Sequence, residues 1–395
     1  MTKQRPLHVV LVAAFPLQGA VPPEAIRPSC RDRPEHPAGW VRRLAVALAG
    51  MEGVRVEVVA ESRRLVRDYH ARVDGLDVTY LRKAEPGRTD PWHLFLPGIR
   101  RLRRVLAALR PDVVHGFGTE QAHGLIAVGA FAPAVLKIQG IVDQLQPYVP
   151  WPPWKTALWR ALERRAVRRA AGIVANTAFS ERWARKVSPG GRIAVIPNIC
   201  PPAFFDVRPT HAEKLVLCPG ALSRIKGTET VLKAFAALGD PEARLVMSGW
   251  IGDADDYPGL ARRLGVADRV EFPGHLPAER IRELMGRARL VVVGSRMDTS
   301  PNVIMEAHAA GLPVAGTRTG GIPDMIADGV DGFLSGVDDA AGLADAMRKL
   351  LDNAELCRRF GAAGREKVAR LNEPAAVARA HLDLYEQVLG WGEKP

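Results

Sequence analysis

Short, nearly continuous apolar runs alternate with helical stretches along the whole 395-residue chain. In the first half the strand candidates are residues 8–13, 54–59, 78–81, 113–115, 135–138, 173–176 and 193–196, with helical patterns at 40–49, 99–109 and 155–170 among them. In the second half they are 215–219, 244–248, 270–272, 290–293, 313–316 and 332–334. Strands that alternate with helices imply βαβ units and parallel sheets, and runs without polar interruption imply strands covered on both faces. Two such series predict two doubly wound α/β domains. Between them, Pro197-Asn198-Ile199-Cys200-Pro201-Pro202 places three prolines in six residues, which excludes a regular helix or a central strand and marks the linker.

Charge changes at the same place. Residues 1–200 carry 31 Lys/Arg against 16 Asp/Glu, whereas residues 201–395 carry 24 against 27, so the whole net charge of +12 originates in the first half. That asymmetry points to an anionic partner for one half only. The four cysteines, Cys30, Cys200, Cys218 and Cys357, are far apart and suggest neither a disulfide framework nor a zinc site. The apolar run at 9–15 is too short to span a membrane and reads as a buried first strand.

Two segments carry chemistry. In the first, Leu215-Val216-Leu217-Cys218-Pro219-Gly220-Ala221-Leu222-Ser223-Arg224-Ile225-Lys226-Gly227, a strand enters a glycine turn, then two cations, then a helix from about Thr228. Backbone amides exposed at such a turn bind phosphate readily. No G-x-x-x-x-G-K-[ST] is present, so this is not a P-loop. In the second, Ser295 to Val314, Ser300 reads as an N-cap with Pro301 at the first helical position, and Gly311 and Pro313 end the helix. Asp298 precedes this helix and Glu306 lies within it eight positions later; an ionised carboxylate there can accept hydrogen bonds from vicinal hydroxyls.

The second segment resembles the E-x7-E signature of retaining glycosyltransferases of family 4, with the GT-B fold: two Rossmann-like domains facing each other across a cleft. The first resembles that family's glycine-turn and Lys-Gly motif. Val270-Glu271-Phe272-Pro273-Gly274-His275-Leu276, Gly320-Gly321-Ile322-Pro323-Asp324 and Asp331-Gly332-Phe333-Leu334 match in the same order, so the resemblance covers roughly residues 215–340. Pro37-Ala38-Gly39, Asp112-Val113-Val114-His115, Asn176-Thr177 and Ile196-Pro197-Asn198 extend it more loosely into the first half.

The resemblance implies an N-terminal acceptor-side domain over residues 1–200, with a helix from about 374 to 395 returning to it, and a nucleotide-sugar-binding domain over 201–373. Lys226 would bind the donor diphosphate, Glu306 the ribose hydroxyls and Asp298 the transferred sugar. Helix-start amides from Ser300 through Asn302 to Val303 would approach sugar and phosphate. The Gly220 turn would cradle phosphate, backbone at Gly274 to Leu276 would meet the base, and Gly39 would let the first domain approach the phosphates. His115 and Gln139 are the acceptor-side candidates. The chain departs from the pattern at three points. Ala221 stands where the family often has Arg, leaving Arg224 as the candidate substitute. Asp298 is one methylene shorter than the usual Glu. Gln139-Gly140 replaces a His-Gly.

The expected reaction is sugar transfer from a nucleotide-diphosphate sugar, with retention and without a metal or other cofactor; Asp253-Ala254-Asp255 is expected in a surface loop. Alternatives are a nucleotide-sugar 2-epimerase of the same fold or a non-catalytic nucleotide-sugar-binding protein. Arg100, Arg101, Arg103, Arg104 and Arg110, then Arg160, Arg164, Arg165, Arg168 and Arg169, form two basic clusters, the second just after Trp151, Trp154 and Trp159. Tryptophan beside basic helix surface suits an anionic membrane interface, while ordinary Rossmann helices with solvated arginines fit the same residues. Nothing in the sequence supports nucleic acid as partner. The expected location is cytoplasmic, with peripheral attachment to the inner face of the membrane.

Overall fold

The computed structural model describes residues 5–17, 19–28, 39–82, 96–119, 128, 133–148, 151–252 and 255–390. Pro37 and Ala38 of the glycine loop, Asp253 and Ala254 of the acidic triplet, and residues 391–395 of the expected last helix lie outside them.

The first half builds an eight-stranded sheet from β1 (Leu7–Val12), β2 (Val54–Ser62), β3 (Tyr69–Val73), β4 (Leu76–Arg82), β5 (Val113–Phe117), β6 (Ala134–Lys137), β7 (Gly172–Ala175) and β8 (Ile193–Val195). Its order is β3-β4-β2-β1-β5-β6-β7-β8. All neighbours are parallel except β3 and β4, which pair antiparallel. This hairpin edge corrects the all-parallel expectation. Its turn is Asp74-Gly75, both left-handed (φ 51° and 79°), the two-residue connection whose twist matches that of the flanking strands. The covering helices are α1 (Gly39–Ala49), α2 (Leu96–Leu109), α3 (Val142–Leu145), α4 (Pro153–Arg169) and α5 (Ala178–Val187).

The second half builds a six-stranded sheet from β9 (Leu215–Pro219), β10 (Arg244–Ser248), β11 (Val270–Gly274), β12 (Leu290–Val293), β13 (Val314–Thr317) and β14 (Gly332–Ser335), in the order β11-β10-β9-β12-β13-β14. All its pairings are parallel. Around it lie α6 (Thr228–Leu238), α7 (Tyr257–Arg263), α8 (Ala278–Arg287), α9 (Asn302–Ala309), α10 (Ile322–Met325), α11 (Ala340–Leu351) and α12 (Ala354–Leu371). Separate apolar clusters fill its two faces, one under α6 and α11, the other under α8 and α9. The strands are apolar on both faces because both faces are covered.

The chain crosses between the sheets twice, side by side. Asn372 donates to the carbonyl of Asn198 (2.7 Å), and Cys200 N–H donates to the carbonyl of Asn372 (3.1 Å). After the second crossing, α13 (Pro374–Val388) packs on the first sheet, where Val377, Leu382, Leu384 and Tyr385 join the core with Val41, Leu44 and Leu48 of α1.

The helix at the second motif starts one residue later than the sequence pattern gave. Pro301 is its N-cap and Asn302 its first residue, and Ser300 makes no cap. Asp298 bends back instead, accepting from Ser300 N–H at 3.3 Å. Proline at the cap lacks an amide, so the next free amides are those of Asn302 and Val303.

Candidate active site

In an open parallel sheet the crevice opens where neighbouring strands send their connections in opposite directions. In the second sheet that point lies between β9 and β12, and the two sequence motifs follow these two strands. Their turns are pressed together. Arg296 N–H donates to the carbonyl of Ile225 (2.8 Å), and a Cβ on Gly227 (φ 63°) would stand 1.8 Å from the carbonyl oxygen of Gly294. Glycine is therefore required after Lys226. The packing brings Lys226 Nζ to 2.5 Å from Asp298 Oδ2. The lysine side chain stays 40% exposed, the aspartate 12%.

Lys226 and Asp298 stand between two cavities. One, of about 530 Å³, is closed by both halves: Trp40, Phe117, Gln139 and Asn176 from the first, Thr299 and Asn302 from the second. The other, of about 300 Å³, lies over the β9 turn and takes in Gly220, Ala221, Asn302 and Val303. Lys226, Asp298 and Asn302 line both. A cation, a helix start and a glycine turn around one space are groups that can hold an anion, here with Asp298 beside the cation.

Direct bonds hold the halves together around this cleft. Thr299 Oγ1 donates to the carbonyl of Gln139, Thr177 Oγ1 donates to the carbonyl of Thr299 (3.0 Å), and Asn198 Nδ2 donates to Asn302 Oδ1 (2.9 Å). Phe179 N–H, at the start of α5, donates to Asp324 Oδ2 (2.6 Å). Asn176 Oδ1 is buried and makes no hydrogen bond among the described residues.

Several expected residues are placed differently. Arg224 is exposed and lines neither cavity, and its carbonyl accepts from Arg296 Nη1 (2.9 Å). His115 is fully buried in the first core, with Nδ1 2.7 Å from Tyr385 Oη, because the strand pleat turns it under α13 and away from the cleft. Burial beside Lys137 and His381 holds its imidazole well below the usual range. Glu306 is on α9 but lines neither cavity; burial raises its carboxyl above the ordinary value, and Arg43 of α1 offsets part of that rise. Gly274 and Leu276 also lie outside both cavities, with Leu276 packed among the residues under α8. Gly39 opens α1, and a Cβ there would stand 2.9 Å from Arg43 Nη1.

Arg43 is the residue that the sequence reading missed. Its Nε donates to the linker carbonyl of Ile199 (3.0 Å). The signal was an arginine one turn after Gly39, on the same helical face.

The two basic clusters differ from the sequence picture. Arg160 and Arg164 pair with Asp143, and Trp159 is buried, stacked on Trp151 with Lys155 over the ring. Trp154 is 51% exposed, and Arg100, Arg104, Arg165 and Arg169 face solvent. Among the described residues no group of three or more His, Cys, Asp or Glu could hold a metal ion, and no helix is long and apolar enough to cross a membrane.

Residues 202–367 match the family described as glycosyl transferases group 1, and residues 38–199 match the glycosyl transferase 4-like domain. Among curated proteins, the chain is 30% identical over 184 residues to N-acetyl-alpha-D-glucosaminyl L-malate synthase of Bacillus anthracis, covering 46% of this chain and 47% of that protein. It is 34% identical over 179 residues to D-inositol 3-phosphate glycosyltransferase of Corynebacterium diphtheriae, covering 43% and 42%. The chain thus spans less than half the length of these two relatives. Sucrose-phosphate synthase from Thermosynechococcus elongatus superposes with a TM-score of 0.81 at 20% identity, covering 98% of this chain and 100% of that one. WaaG, a glycosyltransferase involved in lipopolysaccharide biosynthesis, superposes at 0.68 and 18% identity, covering 94% and 98%. Anabaena HepE in complex with UDP-glucose superposes at 0.70 and 16% identity, covering 96% and 99%. At such identities these structures speak to the fold alone. By both family matches and by its two facing Rossmann-like halves, the chain belongs to the group 1 and 4-like glycosyltransferases of the GT-B fold.

Proposed function

We propose that the chain transfers a sugar from a nucleoside-diphosphate sugar to an acceptor held against the N-terminal half, with retention and without a metal. The observation that carries this reading is the Lys226–Asp298 pair standing between the two cavities. The smaller cavity has the donors for a diphosphate: Lys226 and the amides of Asn302 and Val303. The larger has room for a sugar and an acceptor, with Gln139 and Asn176 offering hydrogen-bonding groups from the first half. As the glycosidic bond breaks, negative charge grows on the leaving phosphate. An ammonium and helix-start amides already aimed there stabilise it without reorganising. Asp298 holds Lys226 in place and offers its second oxygen to a sugar hydroxyl. Among the described residues no carboxylate other than Asp298 lines either cavity, in keeping with transfer assisted by the leaving phosphate rather than a two-carboxylate hydrolysis.

The basic first half suits an anionic acceptor or surface. The two curated relatives carry an anionic group in their names, malate and 3-phosphate. Exposed Arg100, Arg104, Arg165 and Arg169, with Trp154, fit attachment to anionic lipid. Liposome flotation at low salt tests this; equal recovery with neutral and anionic vesicles contradicts it. The reaction itself is tested by thermal-shift screening against UDP-, GDP-, ADP- and dTDP-sugars, followed by product analysis with the stabilising donor. Donor isomerised without an acceptor, or no donor bound, would overturn the reading.

A further inference from the structure

We propose that a third cavity, lined by the end of β8, by α9 and by the last turn of α12, is a second ligand site for a small uncharged molecule with an apolar body and a hydroxyl or N–H group. The site stands apart from the sugar-transfer reading; only its coupling to the donor cavity rests on that reading.

The cavity holds about 380 Å³, a volume in the range of small-molecule sites. Both halves wall it: Val195 and Ala178 from the first, Ile304, Met305, Met325 and Leu371 from the second. Asn198 and Asn372, which bond the two crossings to each other, line it as well. Val195 is 46% exposed and Leu371 49%. One exposed aliphatic side chain needs no explanation, but two from different halves on one cavity give it an apolar lip.

The polar groups select the ligand. Both charged residues that line the cavity are already matched. Lys367 donates to the Asp331 carboxylate and to the carbonyl of Met325. Asp324 accepts from Phe179 N–H with one oxygen and stands 3.9 Å from Arg182 with the other. Two acceptors remain. Asn176, shared with the larger cavity, is 7% exposed; its Nδ2 donates to the carbonyl of Ile138 (3.1 Å), and its Oδ1 has no partner among the described residues. His308 is 1% exposed, with Nε2 3.2 Å from the carbonyl of Asp331, which places the ring proton on Nε2. Its Nδ1 has no partner among the described residues. Burial, with Lys367 adding to it, lowers this imidazole to about 4, so at neutral pH Nδ1 is an acceptor. Buried acceptors without donors favour a ligand that brings donors and disfavour an anion.

The site adjoins the donor cavities. Asn198 Nδ2 donates to Asn302 Oδ1 (2.9 Å), and both residues line this cavity and the larger one. A ligand gripping both halves here stabilises the closed arrangement in which Asn302 opens α9 toward the diphosphate. By linkage, ligand and nucleotide then tighten each other by the same factor.

NMR of the full-length protein with labelled methionine methyls reads the site directly, because Met305 and Met325 line this cavity and Met297 lines the larger one. The probes are benzyl alcohol, benzamide, benzyl methyl ether and benzoate. Benzyl alcohol and benzamide should shift Met305 and Met325 saturably, with the ether and benzoate weaker by about tenfold. Leu371→Trp, a change at the exposed lip, should abolish the shifts, and His308→Phe should reduce the preference for alcohol over ether. Absence of a saturable shift, shifts confined to Met297, equal binding of ether and alcohol, or an undiminished response in Leu371→Trp would overturn the site. Saturating benzyl alcohol should tighten the best-bound of UDP, GDP, ADP and dTDP by about fivefold in the wild type and not in Leu371→Trp. Unchanged nucleotide affinity would overturn the coupling. A wild type that binds no nucleoside diphosphate would overturn the donor reading instead, while the methionine shifts still decide the site.

Discussion

Lys226 Nζ and Asp298 Oδ2 lie 2.5 Å apart, joining the turn after β9 to the turn after β12 across the switch point of the second sheet. The contact gives each residue a separate task. Lys226→Ala removes the charge facing the leaving phosphate and should lower turnover by roughly 10²–10³, the typical loss for one charge-stabilising donor. Asp298→Asn keeps the shape but releases the ammonium. Nucleoside diphosphate should then bind at least as tightly as before, while turnover of the sugar donor falls. Steady-state kinetics beside titration with the bare nucleotide separates these effects.

If Glu306 holds the donor ribose as proposed from the family resemblance, Arg43 and Glu306 should set a pH limit on donor binding. Burial raises the Glu306 carboxyl above its ordinary value, and Arg43 works against that rise. If the carboxylate form holds the ribose, donor affinity should be constant at high pH and fall as pH drops through the raised value. Arg43→Met removes the offset, so the fall should begin at a higher pH. Donor dissociation constants measured across the acidic and neutral range check this. A profile unmoved by the substitution would mean that Glu306 does not bind in its ionised form.

Lys137 should make the first half more stable in mild alkali. Burial lowers its ammonium to about 7 in the fold, whereas the unfolded chain keeps the ordinary value of 10.5. Between these values the unfolded state binds the extra proton, so stability rises with pH through this window, by at most about 1.4 kcal/mol per pH unit. Below the folded value the full cost of burying the charge is present. Lys137→Met should flatten the rise and be the more stable protein at neutral pH. Urea unfolding at several pH values measures both.

The halves should also separate when their polar contacts are cut. Asp324 caps the start of α5 through Phe179 N–H, and Asn198 bonds Asn302. The combined variant Asp324→Ala, Asn198→Ala should raise the radius of gyration of the free protein in small-angle scattering, with donor restoring much of the difference. Each contact crosses between the halves, so neither core loses packing.

The sequence made the parallel frame legible because strands covered on both faces are written as unbroken apolar runs. It missed β3, whose residues are only partly buried and carry no such run, although Asp74-Gly75 between Val73 and Leu76 is a hairpin signal. The placement of Lys226 and Asp298 beside the cleft was legible because local turns set it. Arg224 and His115 were not: one points to solvent, and the other was turned into the core by strand register and by a helix that returns from the far end of the chain. Ser300 failed as a cap because Pro301 already fixes the chain entry and Asp298 takes the Ser300 amide. Arg43 gains its meaning only when the linker carbonyl of Ile199 and the second half close over it.

The most direct test of the account is the affinity of the donor nucleotide for wild type and Lys226→Ala, measured by isothermal titration over UDP, GDP, ADP and dTDP. One of these should bind the wild type, and the substitution should weaken it by about tenfold or more, the worth of one charge-assisted contact to phosphate. Equal affinity in the two proteins, with the variant properly folded, would contradict a diphosphate site at Lys226.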